Sequence, residues 1–171
     1  MTALTRKGTT MGFWTSVTLL AATVTAGLMA GLFAAFWYAI MPGLAKAGDL
    51  AFVDGMQRIN VAILNGWFFL SFAGALLLTA LAALLHLPAP WRGVLVWIVA
   101  ALVLYVVVLV VTMAVNVPLN DRLAAGGSGA PGALRAAFEA PWVRWNLVRT
   151  LASTAAFGCL TWALVEYGRL P

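Results

Sequence analysis

Charge is scarce in this chain. Asp and Glu number 5 and Lys and Arg 10, so charged residues fill 9% of 171 positions. A soluble domain carries about 25%, so the shortfall excludes a water-facing surface over most of the molecule. Cysteine is almost absent: a single Cys159 excludes an internal disulfide and any cysteine-rich metal site. Histidine is as rare, with His86 alone in a turn between apolar runs, where an interfacial position is expected. No His or Cys spacing asks for a metal, and no cofactor is expected. The net charge of +5 comes from scattered Lys and Arg with no basic run. That pattern fits lipid headgroup contact and topology control and speaks against nucleic acid as a partner.

What is present is apolar surface. Hydrophobic residues make up 64% of the chain, against about 45–50% in soluble domains. Runs of about 20 apolar residues cross a bilayer. Four such runs occur, at about 13–41, 59–87, 91–117 and 142–167. The chain therefore reads as one integral membrane domain over 1–171, all-α, a four-transmembrane-helix bundle. The first run is too long for the apolar stretch of a signal peptide, so it is expected to be retained. It carries Gly27-Leu28-Met29-Ala30-Gly31, a small-xxx-small pattern that permits close helix approach. The turn from His86 to Arg92 is short, which makes spans two and three antiparallel neighbours. The link from Pro118 to Pro141 is longer and holds Gly126-Gly127-Ser128-Gly129. Residues 133–140 within it are expected to form a short interfacial helix between helices three and four. Four spans place both termini on one side, and Arg6-Lys7 favours cytoplasmic termini in a bacterial inner membrane.

The few polar residues converge. At about 100° per residue, Trp142, Trp145, Asn146, Arg149 and Ser153 share an arc of roughly 100° on span four, while Arg144 points away. Asp54, Gln57, Arg58, Asn60 and Asn65 share a broader arc at the start of span two. Asp54 and Arg58 are also an i, i+4 pair of opposite charge. Span three adds Tyr105, Thr112 and Asn116, followed by Pro118, which lacks a backbone donor, and Asn120. All three sets lie at one end of the bundle. An arginine at the depth of Arg149 must face protein or water. The expected pocket is lined by amides and aromatics and is electropositive. It suits an anion, an enolate or a polarised carbonyl. Single residues of this kind also serve as caps, interhelical glue and interface anchors.

The same residues carry a resemblance. Met41-Pro42-Gly43-Leu44, Phe52 with Gln57-Arg58-Ile59-Asn60, Asn116-Val117-Pro118-Leu119-Asn120, and Trp145-Asn146 with Val148-Arg149-Thr150 follow one another in the order and spacing of the anthrone oxygenase family. The chain resembles that family over nearly its whole length. The resemblance implies a four-helix membrane protein and, from the fungal members, oxidation of anthrones to anthraquinones with dioxygen. Many members have histidine at the third position of the last motif, where this chain has Leu147.

If that activity applies, Arg149, Asn146, Asn60 and Gln57 would stabilise an enolate oxygen. Asp54 or Asp121 would be the base. Arg58, Asn65, Asn116, Asn120, Trp142 and Trp145 would hold a hydrophobic aromatic ligand. Dioxygen is the expected co-substrate and the lipid bilayer the expected surrounding. The alternative is a non-catalytic membrane module for ligand binding or interaction. Small-solute transport fits less well, because no span is broken near its middle.

Overall fold

The computed structural model describes residues 2–87, 92–127 and 129–169, with side chains from Gly12 onward. Most of the turn expected at 86–92, Ser128 and the side chains of Arg6 and Lys7 lie outside the described residues. Every regular element among the described residues is a helix, with no strand among them. The helices are α1 (Thr2–Ala35), α2 (Met41–Ala45), α3 (Asp49–Ala62), α4 (Gly66–Leu85), α5 (Arg92–Val111), α6 (Val117–Ala125) and α7 (Pro131–Gly168). Two five-residue π-helical turns, Phe36–Ile40 and Thr112–Asn116, join α1 to α2 and α5 to α6 without a break.

Among the described residues, four helices are long and apolar enough to cross a membrane: Gly12–Ala45, Gly66–Leu85, Arg92–Ala125 and Pro131–Gly168. They form a ring in which α1 packs on α4 and α7, and α5 packs on α7 and α4. The shared core is built from Leu19, Met29 and Phe33 of α1, Ile98, Tyr105 and Val108 of α5, and a run of alanines on α4 and α7. Small residues let the backbones approach closely. Gly27 is one such position, since a Cβ there would lie 3.0 Å from the Phe157 ring. Gly31 faces nothing within 4 Å, so only the first glycine of the expected pair serves close packing.

The second span starts later than its apolar run suggested. Asn65 stops one helix and starts the next. Its Nδ2 donates to the Ala62 carbonyl at 2.9 Å, and its Oδ1 accepts from the backbone N–H groups of Trp67 and Phe68 at 3.0 and 3.1 Å. The chain therefore breaks between α3 and α4, and Asp54, Gln57, Arg58 and Asn60 lie on a separate amphipathic helix. Conversely, residues 133–140 are helical but form the first turns of α7 rather than an element of their own. Pro141 sits inside α7 and removes one backbone bond without ending it.

The α3 helix is fastened to the bundle by a second core. Phe52, Val53 and Met56 pack with Phe36, Met41, Leu123, Phe138 and Trp142. Arg135 of α7 closes the corner before it. Its guanidinium donates to the Ala45 and Ala47 carbonyls at 2.8 and 2.9 Å and to Asp49 and Glu139 at 3.1 and 2.7 Å. It also lies 4.7 Å from the Phe52 ring centroid. One side chain thus satisfies the spare carbonyls that end α2.

At the opposite end of the bundle, at the end of α4, the His86 side chain is buried within the protein. Its Nδ1 lies 2.7 Å from the Ala82 carbonyl and its ring stands 5.5 Å from that of Tyr167. Tyr167 in turn donates to the Gly12 carbonyl at 3.0 Å, tying the end of α7 to α1.

Candidate functional site

The π-helical turns explain how the polar end of the bundle is shaped. Each ends two residues before a proline, Pro42 or Pro118. Proline has no N–H to give to the preceding turn, and the wider π-turn absorbs the missing bond. The N–H groups of Met41 and Val117 reach back to the Phe36 and Thr112 carbonyls, closing the wider rings. The second turn aims Asn116 inward and leaves Asn120 facing α7. Asn116 Nδ2 contacts the Trp142 carbonyl at 3.5 Å, and Trp142 Nε1 donates to Asn120 Oδ1 at 2.8 Å.

A cleft of about 390 Å³ lies at this end between α3, α4, α6 and α7. Small-molecule pockets occupy about 300–1,000 Å³. Its wall is aromatic: Phe33, Phe36, Phe68, Phe69, Phe72 and Trp142. Phe68 and Phe72 stack with centroids 5.4 Å apart and planes 13° from parallel. Its polar residues are Gln57, Asn60, Thr112, Asn116, Asn120, Asp121 and Arg149.

Arg149 is the unusual member. It is 6% exposed. Its Nη2 donates to Asn146 Oδ1 at 2.9 Å, and its guanidinium lies 4.5 and 5.2 Å from the Phe33 and Trp142 ring centroids. Asn146 is fixed by its own Nδ2, which donates to the Phe33 carbonyl at 3.0 Å. Ion pairs among the described residues involve Arg58, Arg135 and Arg169, and none reaches Arg149. A buried cation without a counter-charge is expensive. Cation–π contact offsets part of that cost, by about 2 kcal/mol or more where the ring is desolvated.

Asn60 Nδ2, Asn116 Oδ1 and Arg149 Nε are buried without a hydrogen-bond partner among the described residues. All three residues line this one cleft. Unpaired buried polar atoms are uncommon in folded proteins. These two donors and one acceptor belong to side chains around a common space but are themselves enclosed, so pairing with a ligand oxygen or polar hydrogen would take a turn of the side chain.

Other expected site residues lie elsewhere. Asp54 and Arg58 form an exposed ion pair at 2.9 Å, and the Asp54 bond raises the Arg58 pKa further. Asp54 faces a neighbouring open depression shared with Leu50 and Gln57. Asn65 is spent on capping, and Trp145 is 41% exposed on the outer face of α7. The helical arc used for Trp145 was too wide, because neighbouring helices cover only its Asn146 and Arg149 side. Asn146 does not line the cleft but holds Arg149 from beneath. Leu147 is half-buried and also outside the lining, so the departure at that position leaves the cleft wall unchanged.

The sequence reading missed the phenylalanine wall. Its signal was present, since Phe68, Phe69 and Phe72, and likewise Phe33 and Phe36, recur at helical spacing near the span ends. Among the described residues, no three His, Cys, Asp or Glu side chains come together as a metal site would need.

Comparison with known proteins gives one match. The family model described as anthrone oxygenase matches residues 67–159, which covers more than half of the chain. The matched segment holds Asn116, Asn120, Trp142, Asn146 and Arg149, while Phe33, Gln57 and Asn60 precede it. No curated protein and no solved structure matches the chain.

Proposed function

The chain belongs to the anthrone oxygenase family, and on that premise we propose that its cleft binds a flat, enolisable aromatic ketone and promotes its oxidation by dioxygen. The observation that carries this reading is Arg149: a buried guanidinium with aromatic rings beside it and, among the described residues, no ion-pair partner and no hydrogen bond from Nε. An enolate oxygen would supply the missing negative charge, and it appears only as the reaction proceeds. Donors aimed at developing charge accelerate a reaction, whereas donors that bind substrate equally well do not.

The steps balance without a further reactant. A base takes a proton from the methylene carbon conjugated to the ketone. Asp121 is the carboxylate in the cleft lining and fills this role better than Asp54, which lies outside it and is paired with Arg58. The enolate gives one electron to dioxygen, and the two radicals join through a carbon–oxygen bond. The hydroperoxide then loses water: the second proton leaves carbon, the O–O bond breaks, and a new carbonyl forms. Carbon loses four electrons and dioxygen gains four. One oxygen stays on carbon and the other departs in water. Because the enolate itself reduces dioxygen, this route calls for no cofactor.

Arg149 and Asn60 would hold the enolate oxygen, with Asn116 accepting from a ligand hydroxyl. Phe68, Phe72 and Trp142 would hold the ring faces. We place the protein in a bacterial inner membrane with cytoplasmic termini, because Arg6-Lys7 precedes the first span.

The test is dioxygen uptake by purified protein in mild detergent with anthrone, alongside the absorbance of anthraquinone. Arg149→Met keeps an unbranched stem and removes the guanidinium and its charge. It is expected to lower turnover by about 10²–10³-fold. Full turnover in that variant would remove the role given to Arg149. No uptake by the native protein across anthrones and related phenols would sink the oxygenase reading.

The non-catalytic alternative rests on the Arg149–Asn146–Phe33 chain of hydrogen bonds, which joins α7 to α1 and would stabilise the bundle without any ligand. It predicts an intact fold-stabilising role for Asn146 together with no turnover.

A further inference from the structure

The cleft has a side as well as a mouth. On one flank its lining is strongly exposed and wholly apolar: Val61 at 75%, Leu64 at 62%, Phe69 at 53% and Met113 at 59%. These four come from the end of α3, the break after it, the first turns of α4, and the second π-turn. They bracket the seam between α4 and α5, the least extensive of the four helix seams. Lower in the bundle, Tyr105 pins that seam by donating to the Phe72 carbonyl at 3.1 Å. Above Tyr105, Phe69 and Met113 border the cleft from opposite sides.

The depth of this flank follows from the aromatic residues around it. Trp37, Tyr38, Trp67 and Trp145 are all exposed at this end, with Trp67 the most open at 81%. Exposed Trp and Tyr at span ends mark the headgroup boundary. Phe69 lies two residues further along α4 than Trp67, on the hydrocarbon side of that belt. The water-facing rim is different in kind. There the lining is Asn120, Asp121 and Ala124 of α6 and Gln57 of α3.

We propose that the ligand enters this cleft sideways from the bilayer, between α4 and the π-helical end of α5, and that the polar rim is not its route. This rests on the reading of the cleft as a site for a hydrophobic aromatic, and it adds where that molecule comes from. The occupant is a planar aromatic dissolved in the membrane that carries an electron-rich oxygen. The apolar flank admits its rings, and Arg149 at the inner wall receives its oxygen. A water-borne anion would have to pass the exposed apolar flank or the Asp121 carboxylate, and neither favours it.

The route is tested on binding rate, independent of turnover. Protein in phosphatidylcholine nanodiscs is mixed with anthraquinone, which is already oxidised, and tryptophan quenching is followed by stopped flow. The site-specific component is the part lost in Trp142→Phe. Met113→Trp should slow that component about tenfold or more, and Ala124→Trp at the rim should change it less than about twofold, within the one to three decades that association rates span among variants. Met113→Leu should restore the native rate, which separates blockage from misfolding. Slowing by Ala124→Trp but not by Met113→Trp, or by neither, overturns the lateral route. Absence of any saturable component in the native protein also overturns it, because the cleft then takes no such aromatic. A saturable component with no dioxygen uptake leaves the route standing and removes only the oxygenase reading.

Discussion

Arg149 and Asn146 act as a pair in which each residue fixes the other. Asn146 donates to the Phe33 carbonyl and accepts from Arg149, so both ends of its amide are engaged, one across to α1 and one within α7. Asn146→Leu would remove the cross-helix bond to the Phe33 carbonyl and take from the buried Arg149 Nη2 its Asn146 partner. Each unpaired buried group costs about 1–3 kcal/mol. The expected outcome is a lower unfolding temperature in detergent together with loss of turnover. Unchanged melting would show that the amide is not holding the helices together. Asn65 has a different job. Asn65→Ala should cost about 1 kcal/mol as a lost cap and speed backbone hydrogen exchange around Ala62–Phe68, while the cleft residues Asn116 and Arg149 stay in place. The two asparagines look alike in sequence, and both were read as site residues. What separates them is burial: Asn146 is 0% exposed, whereas Asn65 lies at an open helix junction.

Among the elements, α3 decides whether the cleft exists, because it contributes Gln57, Asn60 and Val61 to the wall. It is held by the Phe52, Val53 and Met56 contacts, by Gln57 Nε2 donating to the Leu123 carbonyl at 2.8 Å, and by the Arg135 clamp on the preceding corner. Arg135→Ala should therefore raise hydrogen exchange across residues 45–62 and leave α5 and the lower half of α7 protected. Equal protection in both proteins would show that the apolar contacts suffice. The boundary between α3 and α4 was not legible in the average hydropathy, because Ile59, Val61, Ile63 and Leu64 on one side and the run from Trp67 on the other outweigh the single Asn65-Gly66 step between them. The break depends on one amide choosing backbone partners on both sides, a local competition that hydropathy does not register. The continuity of α7 was hidden for the opposite reason. Pro141 reads as a helix boundary, yet the helix runs through it with one bond missing.

At the scale of the whole molecule, four spans, their order and their shared polar end were all legible from length and apolar content, because bilayer thickness leaves little choice. An even number of spans requires the two termini to lie on one side. Reporter tags fused to each end should be protected together or reached together by a membrane-impermeant reagent, and opposite results would break the four-span topology. The cleft was half legible. Asn60, Asn116 and Arg149 stand out because polar atoms are rare in this chain, whereas the phenylalanine wall is lost among many apolar residues. The two π-turns were not legible at all, and they carry a consequence for how this chain tolerates change in length. A π-turn holds one more residue than the α-helical path it replaces. Deleting one residue from Thr112–Asn116 would therefore let the path close into an ordinary helix with Asn120 and Asp121 near their present phase. A one-residue deletion in the α-helical stretch of α5, at Val103 for example, would instead swing every later residue by about 100°, turning Asn120 away from Trp142 and Asp121 away from the cleft. Deletion of the exposed Met113 or Ala114 should thus keep the pocket, whereas deletion within α5 should give a protein that inserts yet has no pocket.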